Sequence, residues 1–246
     1  MKWSYRIARV SGIDVRLHAT FLLLPLWFGY TDWQRGGWPA AMASVVFILA
    51  LFFCVLLHEF GHAMAGRRYG IRTPDITLLP IGGVARMENI PDKPIQELVI
   101  AVAGPAVNVG IGGILALILV GTGGISGGPE SGVRDLMRSL LMVNFGLVAF
   151  NMIPAFPMDG GRVLRALLAM GFGHLQATRI AARTGQVIAV LFAGAGFFWN
   201  PMLVLIALFV FGGAKQELDY AMQREEFRRL RERLAEGGPE DLFGPK

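Results

Sequence analysis

The chain has 246 residues, of which 54% are hydrophobic and only 17% are charged. A soluble domain carries about 25% charged residues, so this composition excludes an ordinary soluble globular protein and indicates an integral membrane protein. The single cysteine excludes an intramolecular disulfide. The net charge of +5 is explained without nucleic acid, because the basic residues cluster in the connections between apolar segments, as they do in cytoplasmic loops.

The apolar segments predict an all-α polytopic membrane protein with about six transmembrane helices. Residues 1–16 are polar and basic with some alternation, which indicates a short strand or surface segment before the membrane. The predicted spans are 17–30, 39–65, 94–120, 139–158, 175–198 and 201–214, the first and last being short enough to leave full crossing open. We expect one membrane domain over 1–214, followed by a partly helical cytoplasmic tail over 215–246.

The second span ends in the sequence His58-Glu59-Phe60-Gly61-His62. On a helix, His58 and His62 are four residues apart and lie on one face, close enough to share one metal ion. Glu59 lies beside the first histidine, where it can act as a base towards water. With 4 His and 10 Glu in the chain, chance predicts roughly 0.003 such motifs. Two unrelated core histidines are the alternative, but ionisable groups in a membrane helix are costly and usually functional.

Residues 70–93 do not read as a spanning helix, because they contain three prolines and the pair Gly82-Gly83. A small β-hairpin or re-entrant loop between helices 2 and 3 is predicted, either as a plain connector or as a substrate-lining element.

Two polar residues in the apolar segments each have two possible roles. His18 is favoured as an interfacial histidine over a zinc ligand. Asn108 within the third span either bonds across to the metal-site helices, behind the metal ligands, or bonds to a neighbouring backbone carbonyl.

A third metal ligand is predicted at Asp159. The fourth span ends in Asn151 and in the prolines Pro154 and Pro157, which must break helical hydrogen bonding at membrane depth. Such a broken backbone is tolerated only where it is buried in protein or lines a wet cavity. Asp159 is either an N-cap for a helix beginning near Gly161 or a zinc ligand. The ligand interpretation is favoured, since two histidines and a carboxylate leave the fourth position that a catalytic zinc needs.

Topology tests this ligand set. Two predicted crossings separate His62 from Asp159, so the chain returns to the same side and the ligands can converge. Of the 23 lysines and arginines, 20 lie in the segments that this parse places on that side, the exceptions being Arg35, Arg134 and Arg138. The positive-inside rule therefore predicts a site near the cytoplasmic face of the cell membrane and cytoplasmic termini.

The paired motifs resemble the site-2 protease family of intramembrane zinc metalloproteases. Further matches are Gly82-Gly83 and Ala103-Gly104-Pro105 followed by Asn108, so that the resemblance covers roughly residues 1–214. It implies one Zn²⁺ per chain on His58, His62 and Asp159, and Glu59 as the catalytic acid/base. It also implies substrate or oxyanion contact at Asn151, and presentation of an extended substrate by Gly82-Gly83. We expect a compact branch, without PDZ or CBS domains.

The resemblance implies hydrolysis of peptide bonds in or near transmembrane helices of membrane-protein substrates, that is, regulated intramembrane proteolysis. The expected partners are a single-span membrane protein and the lipid bilayer, with no nucleic acid; association into a homo-oligomer is left open. The alternatives are a non-proteolytic membrane zinc-binding protein or transporter, and an inactive scaffold that binds transmembrane helices. A transporter would need a polar path, and the sequence offers few intramembrane carboxylates.

Overall fold

The computed structural model describes residues 3–88, 91, 93–123 and 132–236, which form two compact units divided between Asn151 and Met152. The first unit contains the strands β1 (Ser4–Val10), β2 (Ile13–His18), β3 (Asp75–Leu79) and β4 (Gly82–Arg86), and the helices α1 (Leu23–Arg68), α2 (Pro94–Gly121) and α3 (Gly132–Asn151). The second contains α4 (Asp159–Phe172), α5 (His174–Phe198) and α6 (Met202–Glu236). The all-helical expectation therefore needs one correction, a four-stranded sheet.

Helix α1 is a hairpin of two antiparallel limbs, residues 23–36 and 38–68. The chain reverses at Gly37, whose φ of 66° and ψ of −161° are not helical. Contacts follow from this reversal: Ser44 Oγ donates to Asp32 between the limbs, and Phe21, in the 3₁₀ turn Ala19–Leu22 before the first limb, meets the ring of Phe52 edge to face at 4.7 Å. The predicted break after Tyr30 was too early, because the polar residues that follow it continue the helix until glycine permits a positive φ.

The sheet has the order β1-β2-β3-β4. The pairs β1–β2 and β3–β4 are antiparallel hairpins, and β2 pairs with β3 in parallel, from Asp14 with Asp75 to Leu17 with Leu78. The predicted hairpin is thus the second half of a larger sheet. A parallel pair needs a long crossover, which α1 supplies, so adjacent sequence gave no signal for it.

The sheet lies against the second limb of α1. Ile13 and Ile76 bury their side chains with Ala63, while Leu78 packs with Phe52 and Ile48 further along the limb. These contacts hold β3 and β4 beside the histidine-bearing part of α1. Strand β4 pairs with β3 alone among the described strands, so its other edge is an outer edge of the sheet.

In the second unit, two apolar clusters join α4, α5, α6 and the segment before α4. One cluster contains Ala155, Met158 and Val210, and the other contains Phe156, Ala181 and Ala214. Helix α6 runs without interruption through the predicted break near residue 215, because Gly212 and Gly213 weaken a helix without ending it and no proline follows them within the helix. The separate span 201–214 and surface helix 216–234 are one element.

Three helices among the described residues are long and apolar enough to cross a membrane: Ala19–Arg68, Pro94–Gly121 and His174–Phe198. The predicted third and fifth spans match α2 and α5 closely, whereas the fourth is displaced, since α3 runs from Gly132 to Asn151. The glycine-rich loop predicted after Val120 lies largely outside the described residues, as does the end of the tail. The count of six spans stays a prediction.

Candidate metal centre

The two histidines of α1 project from one face and bring their Nε2 atoms to 3.1 Å from each other. Both side chains are buried, His58 with 6% and His62 with 4% of its surface exposed. Two nitrogens bound to one tetrahedral zinc at about 2.0–2.1 Å lie about 3.3 Å apart, which is close to this separation. The spacing predicted from the sequence therefore produces a pair of converging imidazoles.

Hydrogen bonds on the far side of each ring set the tautomers. His58 Nδ1 donates to Asn108 Oδ1 at 2.7 Å, and His62 Nδ1 donates to the backbone carbonyl of Ile100 at 2.7 Å. In a neutral imidazole with its proton on Nδ1, Nε2 carries a lone pair. Two lone pairs facing each other at 3.1 Å repel unless a cation lies between them, so the donor set fits a metal ion.

Glycines on α2 and α1 make space at this centre. A Cβ atom at Gly104 would lie 2.2 Å from His62 Nε2 and 2.7 Å from His58 Nε2. A Cβ atom at Gly61 would lie 2.7 Å from the Ala103 carbonyl oxygen. Both contacts are shorter than atoms tolerate. Only glycine at 61 permits this close helix packing, and only glycine at 104 leaves the space in front of the imidazoles clear.

Asn108 makes the cross-helix hydrogen bond that was one of its two predicted alternatives. Its own amide donates from Nδ2 to Asn144 Oδ1 at 2.9 Å, and both asparagines are fully buried. Asn144 on α3 did not emerge from the sequence. A polar residue in an apolar helix was the available signal, but nothing in the sequence connects it to position 108.

Glu59 lies beside the first two residues of strand β4. A Cβ atom at Gly83 would lie 2.6 Å from Glu59 Cγ and 3.2 Å from Oε1, so the strand backbone passes directly beside the carboxylate. Gly82 has a φ of 136°, a conformation that residues with a side chain rarely adopt. Glycine is therefore required at the two positions for different reasons: Gly82 permits the turn, and Gly83 permits the close approach of the β4 edge to Glu59.

Asp159 is the first residue of α4 and is buried, with 7% of its surface exposed. The N-cap alternative is wrong as stated, because Met158 occupies the cap position and the helix begins two residues before Gly161. The preceding segment is held by close backbone packing. A Cβ atom at Gly161 would lie 2.6 Å from Phe156 N, and one at Gly213 would lie 2.6 Å from Pro157 Cδ.

Asn151 ends α3, and its Nδ2 donates to the Leu147 carbonyl at 3.0 Å. His18 is the N-cap of a 3₁₀ turn, where its Nδ1 accepts from Thr20 N at 3.3 Å, which agrees with the predicted surface role. In the second unit, Arg165 donates to Glu217 at 2.8 Å and lies 4.8 Å over the Phe156 ring. This buried arginine was also missed, because it reads as one of several loop arginines.

Comparison with known proteins identifies the group to which these features belong. The sequence model of peptidase family M50 matches residues 46–128 and 125–193. A zinc metalloprotease of Methanocaldococcus jannaschii is 41% identical over 220 residues, covering 88% of this chain and 61% of that protein. Stage IV sporulation protein FB of Bacillus subtilis is 26% identical over 166 residues, covering 67% of this chain and 55% of that protein.

Among solved structures, the site-2 protease from Methanocaldococcus jannaschii matches with a TM-score of 0.60 and 37% identity, covering 88% of this chain and 95% of that chain. The chain spans about three fifths of the length of the M. jannaschii zinc metalloprotease and about half of the length of the sporulation protein.

Proposed function

The chain belongs to peptidase family M50, and from this premise we propose that it is a zinc-dependent intramembrane endopeptidase. Its substrates are membrane proteins that are cut in or near a transmembrane helix. The observation that carries the proposal is the histidine pair on an apolar helix, with both Nδ1 protons engaged and both Nε2 atoms converging at 3.1 Å. Glu59, on the same turn of α1, supplies a carboxylate next to this pair.

We assign one zinc ion per chain to His58, His62 and Asp159. The chemistry of these donors supports the assignment, because two imidazoles and a carboxylate are a ligand set that leaves one position open on catalytic zinc. Burial of all three side chains supports it further, since buried charges are paired or bind metals. When bound, zinc lowers the pKa of water towards neutrality and polarises the scissile carbonyl.

Glu59 is the proposed acid/base residue. It accepts a proton from the attacking water and passes it to the nitrogen of the leaving amine, which is the general acid–base step of peptide hydrolysis. Its place beside Gly83 brings this carboxylate to the edge of β4. Asn151 is proposed to donate its amide hydrogen to the oxygen that becomes negative in the transition state, a contact worth about 3 kcal/mol in comparable sites.

The outer edge of β4 is the proposed docking position for the substrate backbone. A peptide bond within a helix is shielded by its own turn, so the substrate must become extended before it is cut. Strand β4 pairs with β3 on one side only among the described residues, and an extended segment can add to the other side by backbone hydrogen bonds. Gly82-Gly83 would then lie next to the scissile region, beside Glu59.

We place the protein in the cell membrane, with six crossings, both termini in the cytoplasm and the metal centre near the cytoplasmic face. The three long apolar helices support a membrane location. Arg67 and Arg68 end α1 five and six residues beyond His62, so the centre lies about 8 Å from a basic rim. The positive-inside rule then supports the cytoplasmic side.

Co-expression with candidate single-span membrane proteins tests the activity. Wild-type protein should release a shortened product, while Glu59→Gln should accumulate uncleaved substrate and retain zinc. Cleavage at the normal rate by Glu59→Gln would contradict the acid/base role. Asp159→Ala should bind less than one zinc ion per chain. If it binds one equivalent as wild type does, Asp159 is not a ligand. Purified protein that carries zinc across vesicle membranes but cleaves no peptide would instead favour a transporter.

A further inference from the structure

A line of buried hydrogen bonds connects α3 to the first histidine. The Leu140 carbonyl accepts from Asn144 Nδ2 at 2.8 Å, and Asn144 Oδ1 accepts from Asn108 Nδ2 at 2.9 Å. Asn108 Oδ1 in turn accepts from His58 Nδ1 at 2.7 Å. Three helices contribute to this line, and the two asparagines are 0% exposed, so water does not reach their amide groups.

The two histidines differ in how their tautomers are fixed. The partner of His62 is the backbone carbonyl of Ile100, which can only accept a hydrogen bond, so Nδ1 of His62 must carry the proton. The partner of His58 is an amide, which has an acceptor end and a donor end. If Asn108 were turned over, it would donate to Nδ1 of His58, the proton would move to Nε2, and the nitrogen facing the metal position would lose its lone pair.

Asn144 removes this ambiguity. It is itself an amide, but its Nδ2 group faces two acceptors, the Leu140 carbonyl and the Cys54 sulfur at 3.4 Å. Its Oδ1 must therefore face Asn108, and Asn108 must present Nδ2 to Asn144 and Oδ1 to His58. The direction of the whole line is determined by one backbone carbonyl of α3, which has no donor form.

We propose that Asn144 is a positioning residue that holds the Asn108 amide in one orientation and thereby keeps Nε2 of His58 available as a metal ligand. This inference rests on the proposed zinc function, and it assigns a task to a residue that touches neither metal nor substrate. Outer partners of metal-ligating histidines typically change metal affinity by 10–100-fold. One step further out, we expect an effect of about tenfold.

The first test measures zinc affinity of the full chain in detergent by competition with a chelator. Asn144→Leu removes both the donor and the acceptor with little change in volume, and should weaken zinc binding about tenfold. Asn144→Asp is the conservative variant: as a neutral carboxylic acid it donates to the Leu140 carbonyl and accepts from Asn108, so it should bind zinc within about twofold of wild type. Thr178→Val is the matched control, because Thr178 is also fully buried and bonds a backbone carbonyl, but in the other unit.

The second test reads the tautomer directly. The chain has only 4 histidines, so ring ¹⁵N shifts of the zinc-free protein can be assigned by substitution. Wild type and Asn144→Asp should show His58 with its proton on Nδ1, whereas Asn144→Leu should show a mixture of the two tautomers. A variant that only loosened packing would weaken binding without changing the tautomer.

The outcomes separate this inference from the proposed function. If wild-type protein binds no zinc, the zinc function itself is wrong. If wild type binds zinc and Asn144→Leu binds it equally well with an unchanged His58 tautomer, Asn144 does not position the ligand. If Asn144→Leu does not fold, Asn144→Asp still decides, because a tenfold loss of affinity in that variant contradicts the assigned direction of the line.

Discussion

Gly104 lies so close to His62 that a Cβ atom at position 104 would stand 2.2 Å from the Nε2 nitrogen. The same atom would stand 2.7 Å from His58 Nε2, in the region between the two imidazoles where a shared ion would bind. The glycine on α2 is therefore as necessary to a metal centre here as the histidines on α1. Its role follows from the absence of a side chain, and a search for ligand residues does not detect such a role.

Gly104→Ala should abolish zinc binding while leaving the protein folded. The new methyl group would take the space in front of both Nε2 atoms, and we expect the zinc dissociation constant to rise at least about 100-fold. Gly113→Ala is the matched control on the same helix, because a Cβ atom there meets nothing within 4 Å. Normal zinc stoichiometry in Gly104→Ala would show that the imidazoles do not share an ion at this position.

Gly83→Ala should impair catalysis and spare metal binding. Its Cβ atom would lie 2.6 Å from Glu59 Cγ, so either the carboxylate or the strand must move. We expect kcat to fall about 10²-fold, as for small displacements of a catalytic group, with unchanged zinc affinity. Gly110→Ala on α2 is the control, because a Cβ atom there meets nothing within 4 Å. Equal loss of zinc and activity in Gly83→Ala would mean that the strand supports the histidines and not Glu59.

Glu217→Ala should destabilise the second unit. The side chain of Arg165 is only 4% exposed and donates to Glu217 at 2.8 Å, so the substitution removes the carboxylate that faces a buried guanidinium. Breaking a buried ion pair costs about 3–5 kcal/mol, and thermal unfolding in detergent should shift accordingly. Glu232→Ala removes an exposed carboxylate near Arg228 and should have an effect below about 1 kcal/mol. Similar unfolding temperatures for the two variants would contradict this prediction.

The end of α6 should lose helix in acid. Hydrogen bonding from Arg228 lowers the pKa of the Glu225 carboxyl below its ordinary value of 4.5, and Arg229 contributes in the same direction. A group whose pKa is lower when folded stabilises the fold above its unfolded pKa, and this contribution disappears as pH falls through the folded value. The protection of the amides of residues 222–233 against exchange, relative to the intrinsic rate at each pH, should therefore fall below about pH 4.5, and Glu225→Gln should remove that pH dependence.

The histidine pair was predicted correctly because the residues that determine its geometry are close together in the sequence. His58, Glu59 and His62 belong to one helical turn, and helical geometry alone determines which side they share. Gly82 and Gly83 were also recognised in the sequence, but the reason why glycine is needed at each position was not. One requires a positive φ and the other requires the approach of Glu59, and both facts depend on how β4 lies against α1.

Residues that act through distant partners were not predictable in this way. Asn144 is 36 positions from Asn108, and their hydrogen bond exists only because α2 and α3 pack together. Likewise, β2 and β3 are separated by the whole of α1, so the parallel pair between them left no mark in either segment. Helix α6 was predicted as two elements for a different reason. Hydropathy changes near residue 215, but the backbone hydrogen bonds of a helix continue across such a change.

The reversal of α1 at Gly37 has a consequence for biogenesis. Strand β2 leaves the ribosome early, yet its parallel partner β3 is made only after both limbs of the α1 hairpin. In the proposed topology both limbs cross the membrane, so the two strands meet only when the hairpin has returned the chain to its starting side. An odd number of crossings would leave β3 on the opposite face of the bilayer. On that topology, completion of the sheet depends on correct insertion of the first hairpin, because a chain in which one limb fails to cross cannot bring β4 to Glu59.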